Sequence, residues 1–408
     1  MKEKLYERIG IDEIISLYKD KPVIKVIQGI RRCGKSFMLS LIKKKLIEKG
    51  VQESDILNVN FEDFENAHLL DSRALYEEVK KRGTNGKKLY LLFDEIQECE
   101  GWEKCVNSLY SSKTIDADIY ITGSNANLLS SELATYLSGR YVTINARPLS
   151  YKEFLYFNSS QDSAENFNKF LTIGGFPGLK DMMESETQIR SYLEGIYSTV
   201  ILKDIIKRNK IRETSLLEKI ILYTADNVGN IFSAKRISDF MKANGRSLSV
   251  ETVYNDLQYL QNAFVLHKVQ RFDIRGKKIL ETMEKYYFED QGLLFFLHGF
   301  KDTYINGILE NIVFSELLRR GYQVFIGKIG DTEIDFMAEK NGEKIYVQVS
   351  YLLSSEETKE REYRPLLDVK DNFPKLILTM DDLPESNENG IIRKNIREWL
   401  LQGEFNNS

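Results

Sequence analysis

Gly29-Ile30-Arg31-Arg32-Cys33-Gly34-Lys35-Ser36 stands between the β-branched run VIKVIQ (23–28) and the Leu- and Lys-rich FMLSLIKKKL (37–46). The spacing is G-x-x-x-x-G-K-S, the pattern of a phosphate-binding loop. Two glycines let the backbone curl so that its N–H groups point inward at an anion. Lys35 has the reach for β- and γ-phosphates, and the Ser36 hydroxyl can ligate Mg²⁺. The helix that follows, entered at Phe37, turns its positive dipole end toward the phosphates. Taken alone, the match also describes an ordinary strand-to-helix loop, so the rest of the chain decides.

Two further segments bear on that decision. LYLLFDEIQ (89–97) is a continuous apolar strand ending in Asp94-Glu95, the form of a buried parallel strand. Downstream of a phosphate loop, Asp94 would hold Mg²⁺ through water, and Glu95 would orient and deprotonate the attacking water. Glu98 and Glu100 read as solvated loop charges. ADIYITGSNANLL (117–129) is a third strand, expected between the other two, ending in Ser124-Asn125. Either side chain could contact the γ-phosphate or the lytic water. Either could equally cap a helix expected over 126–138.

The elements must be carried by a chain of suitable size and class. With 408 residues there is length for about two to four domains. Hydrophobic residues make up 42% and charged residues 29%, the composition of a soluble globular protein with ample core. No run approaches the about eighteen apolar residues of a membrane span, and MKEKLYERIG lacks an apolar signal core. The expectation is a cytoplasmic protein with no membrane partner. Cys33, Cys99 and Cys105 form no paired framework, which fits a reducing compartment. His68, His267 and His298 are scattered, and no zinc site is expected. A net charge of −4 argues against a general nucleic-acid coat, though not against a local basic face.

GIRRCGKS, LLFDEIQ, ITGSNANLL, SGRY and PLSYKEF (148–154), in this order, resemble the AAA-type ATPases of the prokaryotic ATP-binding group. The similarity runs over essentially the whole chain. It implies an α/β P-loop core with a parallel sheet over 1–150, a helical lid over 151–214, a winged helix over 215–299 and a PD-(D/E)XK nuclease-like domain over 300–408. ATP and Mg²⁺ are the implied cofactors, with Gly29, Ile30, Arg31, Arg32, Cys33, Gly34, Lys35, Ser36 and Phe37 around the nucleotide. The resemblance also puts Arg140 where such proteins place an arginine finger. There a guanidinium could neutralise charge developing on the γ-phosphate of a neighbouring subunit. That role requires a homo-oligomer; the other reading is a salt bridge within one subunit.

LTIGGFPGLK (171–180) contains Gly175-Phe176-Pro177, similar to the G-x-P motif of related signalling ATPases, which implies that Pro177 packs on the adenine. As chemistry alone it is a turn signal. YLEGIYSTVILKDIIKRNKI (192–211) reads as one long helix whose Lys203, Lys207 and Arg208 complement the dipole at its end. Over 215–290 three amphipathic helices precede two strands around Arg275-Gly276-Lys277-Lys278, as in a winged helix. Residues 231–285 hold ten Lys/Arg against six Asp/Glu, which permits phosphate contacts from the wing. The third helix, SVETVYNDLQYLQNA, carries Glu251 and Asp256 and no basic residue, leaving Thr252, Asn255 and Gln258 for bases. A DNA-docking wing, a lid extension and a protein-docking surface therefore all remain open.

Residues 300–408 alternate helix and strand. Glu310, Asp335 and the strand IYVQVS resemble the skeleton of PD-(D/E)XK nucleases, in which carboxylates hold a hard cation and a lysine polarises water. Here Gln348 and Ser350 occupy the positions of the second acid and the lysine. A nuclease-like fold without cleavage is the expectation, with DNA or a protein as its partner. The reading as a whole is an ATP-binding, ATP-hydrolysing protein that couples nucleotide state to C-terminal recognition modules. A slow-turnover nucleotide-gated switch, a DNA-docking protein and an ATP-dependent nuclease are the alternatives.

Overall fold

The computed structural model describes residues 8, 10–83, 86–126, 139–183, 185–246, 248–299 and 301–402; the helix expected over 126–138 falls almost entirely outside them. The chain forms two compact units, Met1–Arg147 with Asn262–Phe264, and Pro148–Gln261 with Val265–Ser408.

The first unit is built on five parallel strands: β1 (Ile24–Gln28), β2 (Ile56–Asn60), β3 (Leu89–Asp94), β4 (Ala117–Gly123) and β5 (Tyr141–Asn145). Their order is β2-β3-β4-β1-β5, so β4 lies between the strand feeding the glycine loop and the strand ending in Asp94. Every residue of β3 is buried, as a parallel strand covered on both faces requires. Helices α1 (Ile11–Tyr18), α2 (Lys35–Glu48), α3 (Ser72–Arg82) and α4 (Trp102–Tyr110) supply the cover. Leu75 and Val79 of α3 and Trp102, Val106 and Leu109 of α4 share one apolar cluster with Ile24, Leu91 and Phe93. α2 packs against β3 and β4 and carries α1. The registers Gln28↔Gly123 and Phe93↔Ile121 bring the ends of β1, β3 and β4 to one edge of the sheet. In open parallel sheets that carboxyl edge is where ligands bind.

The second unit begins with α5 (Tyr151–Phe157), α6 (Ala164–Ile173) and α7 (Glu186–Thr199). Ser150 and Glu153 start α5 with a reciprocal capping box. The single long helix expected over 192–211 is not continuous α-helix: α7 ends at Thr199, and Val200–Lys207 winds as a π-helix. Then come α8 (Thr214–Asp226), α9 (Ala234–Ala243), α10 (Val250–Asn262), the antiparallel pair β6 (Leu266–Asp273) and β7 (Lys278–Phe288), and α11 (Gln291–His298). The remainder is α12 (Ile305–Arg319), β8 (Gln323–Ile329), β9 (Thr332–Lys340), β10 (Glu343–Val349), α13 (Glu356–Asp368), β11 (Lys375–Thr379), β12 (Ser386–Glu388), β13 (Ile391–Asn395) and α14 (Ile396–Leu401).

The hairpin β6–β7 does not stand apart as a wing. β6 pairs in parallel with β8 at Arg271↔Ile326, Phe272↔Gly327 and Asp273↔Lys328. One sheet of order β12-β13-β11-β10-β9-β8-β6-β7 therefore crosses residue 300. Phe272 packs on Phe325 at 5.7 Å between ring centroids, which gives this junction apolar contact as well as backbone bonds.

Candidate functional site

β1 delivers the chain to Gly29, where a side chain has no room: a Cβ would lie 2.0 Å from the Ala146 carbonyl oxygen that follows β5. Arg32 and Gly34 take left-handed φ values of +66° and +99°, so the loop reverses its curl before α2 starts at Lys35. Side chains from elsewhere brace it. Arg31 Nη1 pairs with Glu62 Oε1 at 2.9 Å, and Arg8 donates to the carbonyls of Cys33 (3.1 Å) and Arg147 (2.7 Å). The Cys33 thiol donates to the Ala146 carbonyl at 3.3 Å. Arg32 is exposed, and Ile30 is buried in the core. Phe37 is half-buried on the first turn of α2.

Lys35 is buried, and its ammonium donates to the carbonyls of Gly29 (3.0 Å) and Ile30 (3.2 Å) while facing Glu95 Oε1 at 3.4 Å. The Ser36 hydroxyl lies beside the Asp94 carboxylate and favours its charged form. Burial raises the pKa of Asp94, and the bonds from Ser36 and Thr122 oppose that rise. Glu95 is buried at φ +51°, a conformation unusual for a side chain of its size. Its backbone N–H donates to Thr122 Oγ1 at 2.8 Å, and its Oε2 accepts from Gln97 Nε2 at 2.5 Å. Ser124 and Asn125 are buried at the end of β4, and Ser124 Oγ has no hydrogen-bond partner among the described residues. Lys35, Ser36, Asp94 and Glu95 are thus brought together, with Ser124 following the neighbouring strand.

Arg140 lies at the other edge of this sheet. It precedes β5 where Tyr141 is level with Ile24, the first residue of β1. Its guanidinium donates to Asn107 Oδ1 (3.1 Å) and Ser111 Oγ (3.4 Å) and stacks over the Tyr110 ring. No carboxylate partner accompanies it among the described residues, so the intrasubunit salt bridge left open by the sequence is not formed there. Pro177 belongs to the second unit and opens a 3₁₀ turn, Pro177–Met182; just before it, Gly175 donates its N–H to Asp290.

In the second unit, Glu310 on α12 and Asp335 on β9 share a buried cluster. Gln348 Oε1 accepts the Asp335 N–H at 3.2 Å, and its amide donates to Glu362 at 2.8 Å. Ser350 turns to the Leu352 carbonyl. The expectation that this cluster lacks a lysine is overturned. Lys285, from β7, places its ammonium 3.2 Å from both Glu310 and Asp335. The basic group arrives instead from a strand fifty residues before Asp335.

On α10, Asp256 faces inward, where burial raises it to about 6, and Thr252 shares a hydrogen bond with Ser249 at the helix start. Residues that sequence reasoning missed are Arg8, Glu62, Gln97, Thr122 and Lys285. Only Thr122, two residues before Ser124 on an apolar strand, carried a local signal. Cys33, Cys99 and Cys105 are buried free thiols. No helix of the described residues is long and apolar enough to cross a membrane.

Residues 21–155 match a family model described as an AAA domain, and residues 164–304 match a domain of unknown function (DUF8612). An uncharacterized protein of Haemophilus influenzae is 41% identical over 390 residues, spanning 94% of this chain and 96% of that protein. An uncharacterized protein of Methanocaldococcus jannaschii is 31% identical over 417 residues, spanning 93% of this chain and 90% of its own length. Among solved structures, a Walker-type ATPase of Pyrococcus abyssi superposes with a TM-score of 0.51 at 14% identity, covering 72% of this chain and 97% of that one. That likeness is one of fold.

Proposed function

The chain belongs to the family of its Haemophilus and Methanocaldococcus relatives and carries an AAA domain, and from that premise we propose that it binds ATP with Mg²⁺ and hydrolyses it. One observation carries the reading. At the carboxyl edge of a parallel sheet, a loop ammonium faces one buried carboxylate, and the next loop residue's hydroxyl lies beside a second.

Each group then has a task. The loop N–H groups and Lys35 receive the phosphates, with Lys35 exchanging the carbonyls of Gly29 and Ile30 for phosphate oxygens. Ser36 and Asp94 would hold Mg²⁺; an oxygen pair that includes a desolvated carboxylate suits a hard cation. When bound, the cation neutralises charge shared between phosphates. Glu95, released as Lys35 turns to the nucleotide, accepts the proton of the attacking water. Ser124 supplies a buried hydroxyl with hydrogen-bonding capacity to spare, suited to the γ-phosphate or the water.

Calorimetry and phosphate release test this directly. Lys35→Ala is expected to abolish ATP binding, and Glu95→Gln to keep binding while removing most turnover. Parental turnover in Glu95→Gln rejects the assignment of the base.

A second reading, a slow nucleotide-gated switch, draws on the engagement of Glu95 by both Lys35 and Gln97. Tight ATP binding with phosphate release that stays slow at all protein concentrations, with and without DNA, would favour it. In either reading the second unit serves recognition of DNA or a protein rather than cleavage.

A further inference from the structure

An ammonium has three N–H donors, and three carboxylates surround that of Lys285. Glu310 Oε2 lies at 3.2 Å, Asp335 Oδ1 at 3.2 Å and Glu333 Oε1 at 3.0 Å. Two of the carboxylates hold further donors. Tyr287 donates its hydroxyl to the same Glu310 Oε2 at 2.8 Å, and the Val349 N–H donates to Asp335 Oδ2 at 3.0 Å. Gly229 packs against the Glu310 carboxylate so closely that a Cβ there would stand 3.1 Å from both oxygens. Burial alone would lower the Lys285 pKa, but Glu310, Tyr287, Asp335 and Glu333 hold it well above the ordinary value. Burial and the nearby Asp335 charge push Glu310 up, and the Lys285 ammonium opposes that rise.

A nuclease-like fold implies a divalent cation held by Glu310 and Asp335. The residues present do not fit one. Their oxygens stand at hydrogen-bonding distance from a nitrogen, whereas Mg²⁺ needs oxygens at about 2.0–2.1 Å in octahedral array. The ammonium itself occupies the space between them, bonded to Glu310, Glu333 and Asp335 at once. Gln348 is neutral, and both ends of its amide already hold neighbours. Glu333, which holds the ammonium from one side, also lines a groove of about 490 Å³ with Gln348 and Glu362.

We propose that the Lys285 ammonium stands permanently in the place of the metal, so that this carboxylate pocket binds no divalent cation and cleaves no phosphodiester. The pocket is closed by a cation on the chain itself. Removing that cation reopens it.

The test is Mn²⁺ uptake by the full chain without nucleotide, followed by loss of the free-ion EPR signal, so the outcome is independent of ATP handling by the glycine loop. Lys285→Met is expected to take up one more equivalent than the parent, and adding Asp335→Asn to it removes that equivalent. Asp335→Asn in the parent leaves uptake unchanged, an arm that holds even where Lys285→Met does not fold. Loss of an equivalent of Mn²⁺ from the parent on Asp335→Asn overturns the proposal. So does a folded Lys285→Met that takes up no more than the parent.

Discussion

Thr122 Oγ1 donates to Asp94 Oδ1 at 2.6 Å and accepts the backbone N–H of Glu95 at 2.8 Å. One hydroxyl at the end of β4 therefore fixes two consecutive acidic residues at the end of β3. Glu95 needs that anchor, because a left-handed φ on a non-glycine residue costs about 1–3 kcal/mol. Thr122→Val keeps shape and β-propensity but leaves the buried Glu95 N–H without its acceptor. Urea unfolding should show a loss of about 1–3 kcal/mol. Phosphate release should fall further than ATP affinity, because Glu95 would no longer be aimed. A stability loss with unchanged turnover would reduce Thr122 to a strut.

Ser124 distinguishes a chemical role from a capping one. A serine cap replaced by alanine costs about 1 kcal/mol, whereas a hydroxyl lacking a partner is lost at little cost. Ser124→Ala is expected to unfold within about 0.5 kcal/mol of the parent. Its turnover should drop by roughly 10²-fold, the scale for removing one donor to a developing charge. The opposite pattern, lower stability with parental turnover, would identify a helix cap.

The first unit was largely legible because its signals are local. VIKVIQ before Gly29 and LYLLFD before Glu95 are runs whose apolar character and ending declare both the strand and its functional tip. The braces were not legible. Arg8 reaches Cys33 across 25 residues and Arg147 across 139, and no spacing announces either contact. The second unit misled for the same reason. Reading IYVQVS for a lysine at position 350 assumed that the basic group must share a strand with the acid. Hydrogen bonds between β6 and β8 fold the hairpin into the C-terminal sheet, and Lys285 enters from there. The π-helix at Val200–Lys207 left no mark, since its composition is that of any amphipathic helix.

Asp290 gives a pH prediction. Its carboxylate accepts N–H bonds from Gly175 and Gly292, each at 2.8 Å, yet complete burial pushes it up to about 7. Unfolded, it would titrate near 3.9. Between those values the folded chain holds a proton that the unfolded chain has released, so stability falls as pH rises from about 4 to about 7 and then levels. The span corresponds to at most roughly 4 kcal/mol. Asp290→Asn stays neutral and gives up one acceptor. It should be less stable than the parent at pH 5, with the gap closing or reversing at pH 8. Glu310 titrates in both proteins and cancels in the difference. A gap independent of pH in urea titrations would show that Asp290 is ionised throughout.

Arg140 offers the last prediction. Within its own chain it stands before the first residue of β5, while the glycine loop follows the last residue of β1. These positions are separated by the length of a five-residue strand, about 13–17 Å. An arginine there cannot serve its own γ-phosphate without leaving Tyr110, Asn107 and Ser111. Its exposure leaves it available to a neighbouring copy. If it acts there, turnover per chain rises with protein concentration as copies associate. Arg140→Ala should leave ATP affinity near parental and lower turnover by roughly 10³–10⁵, the range for a supplied arginine. Mixing Arg140→Ala with Glu95→Gln should restore part of the activity, since each variant keeps the half of the shared site that the other lacks. A rate per chain that is independent of concentration, with no rescue on mixing, would confine Arg140 to holding the start of β5 against α4.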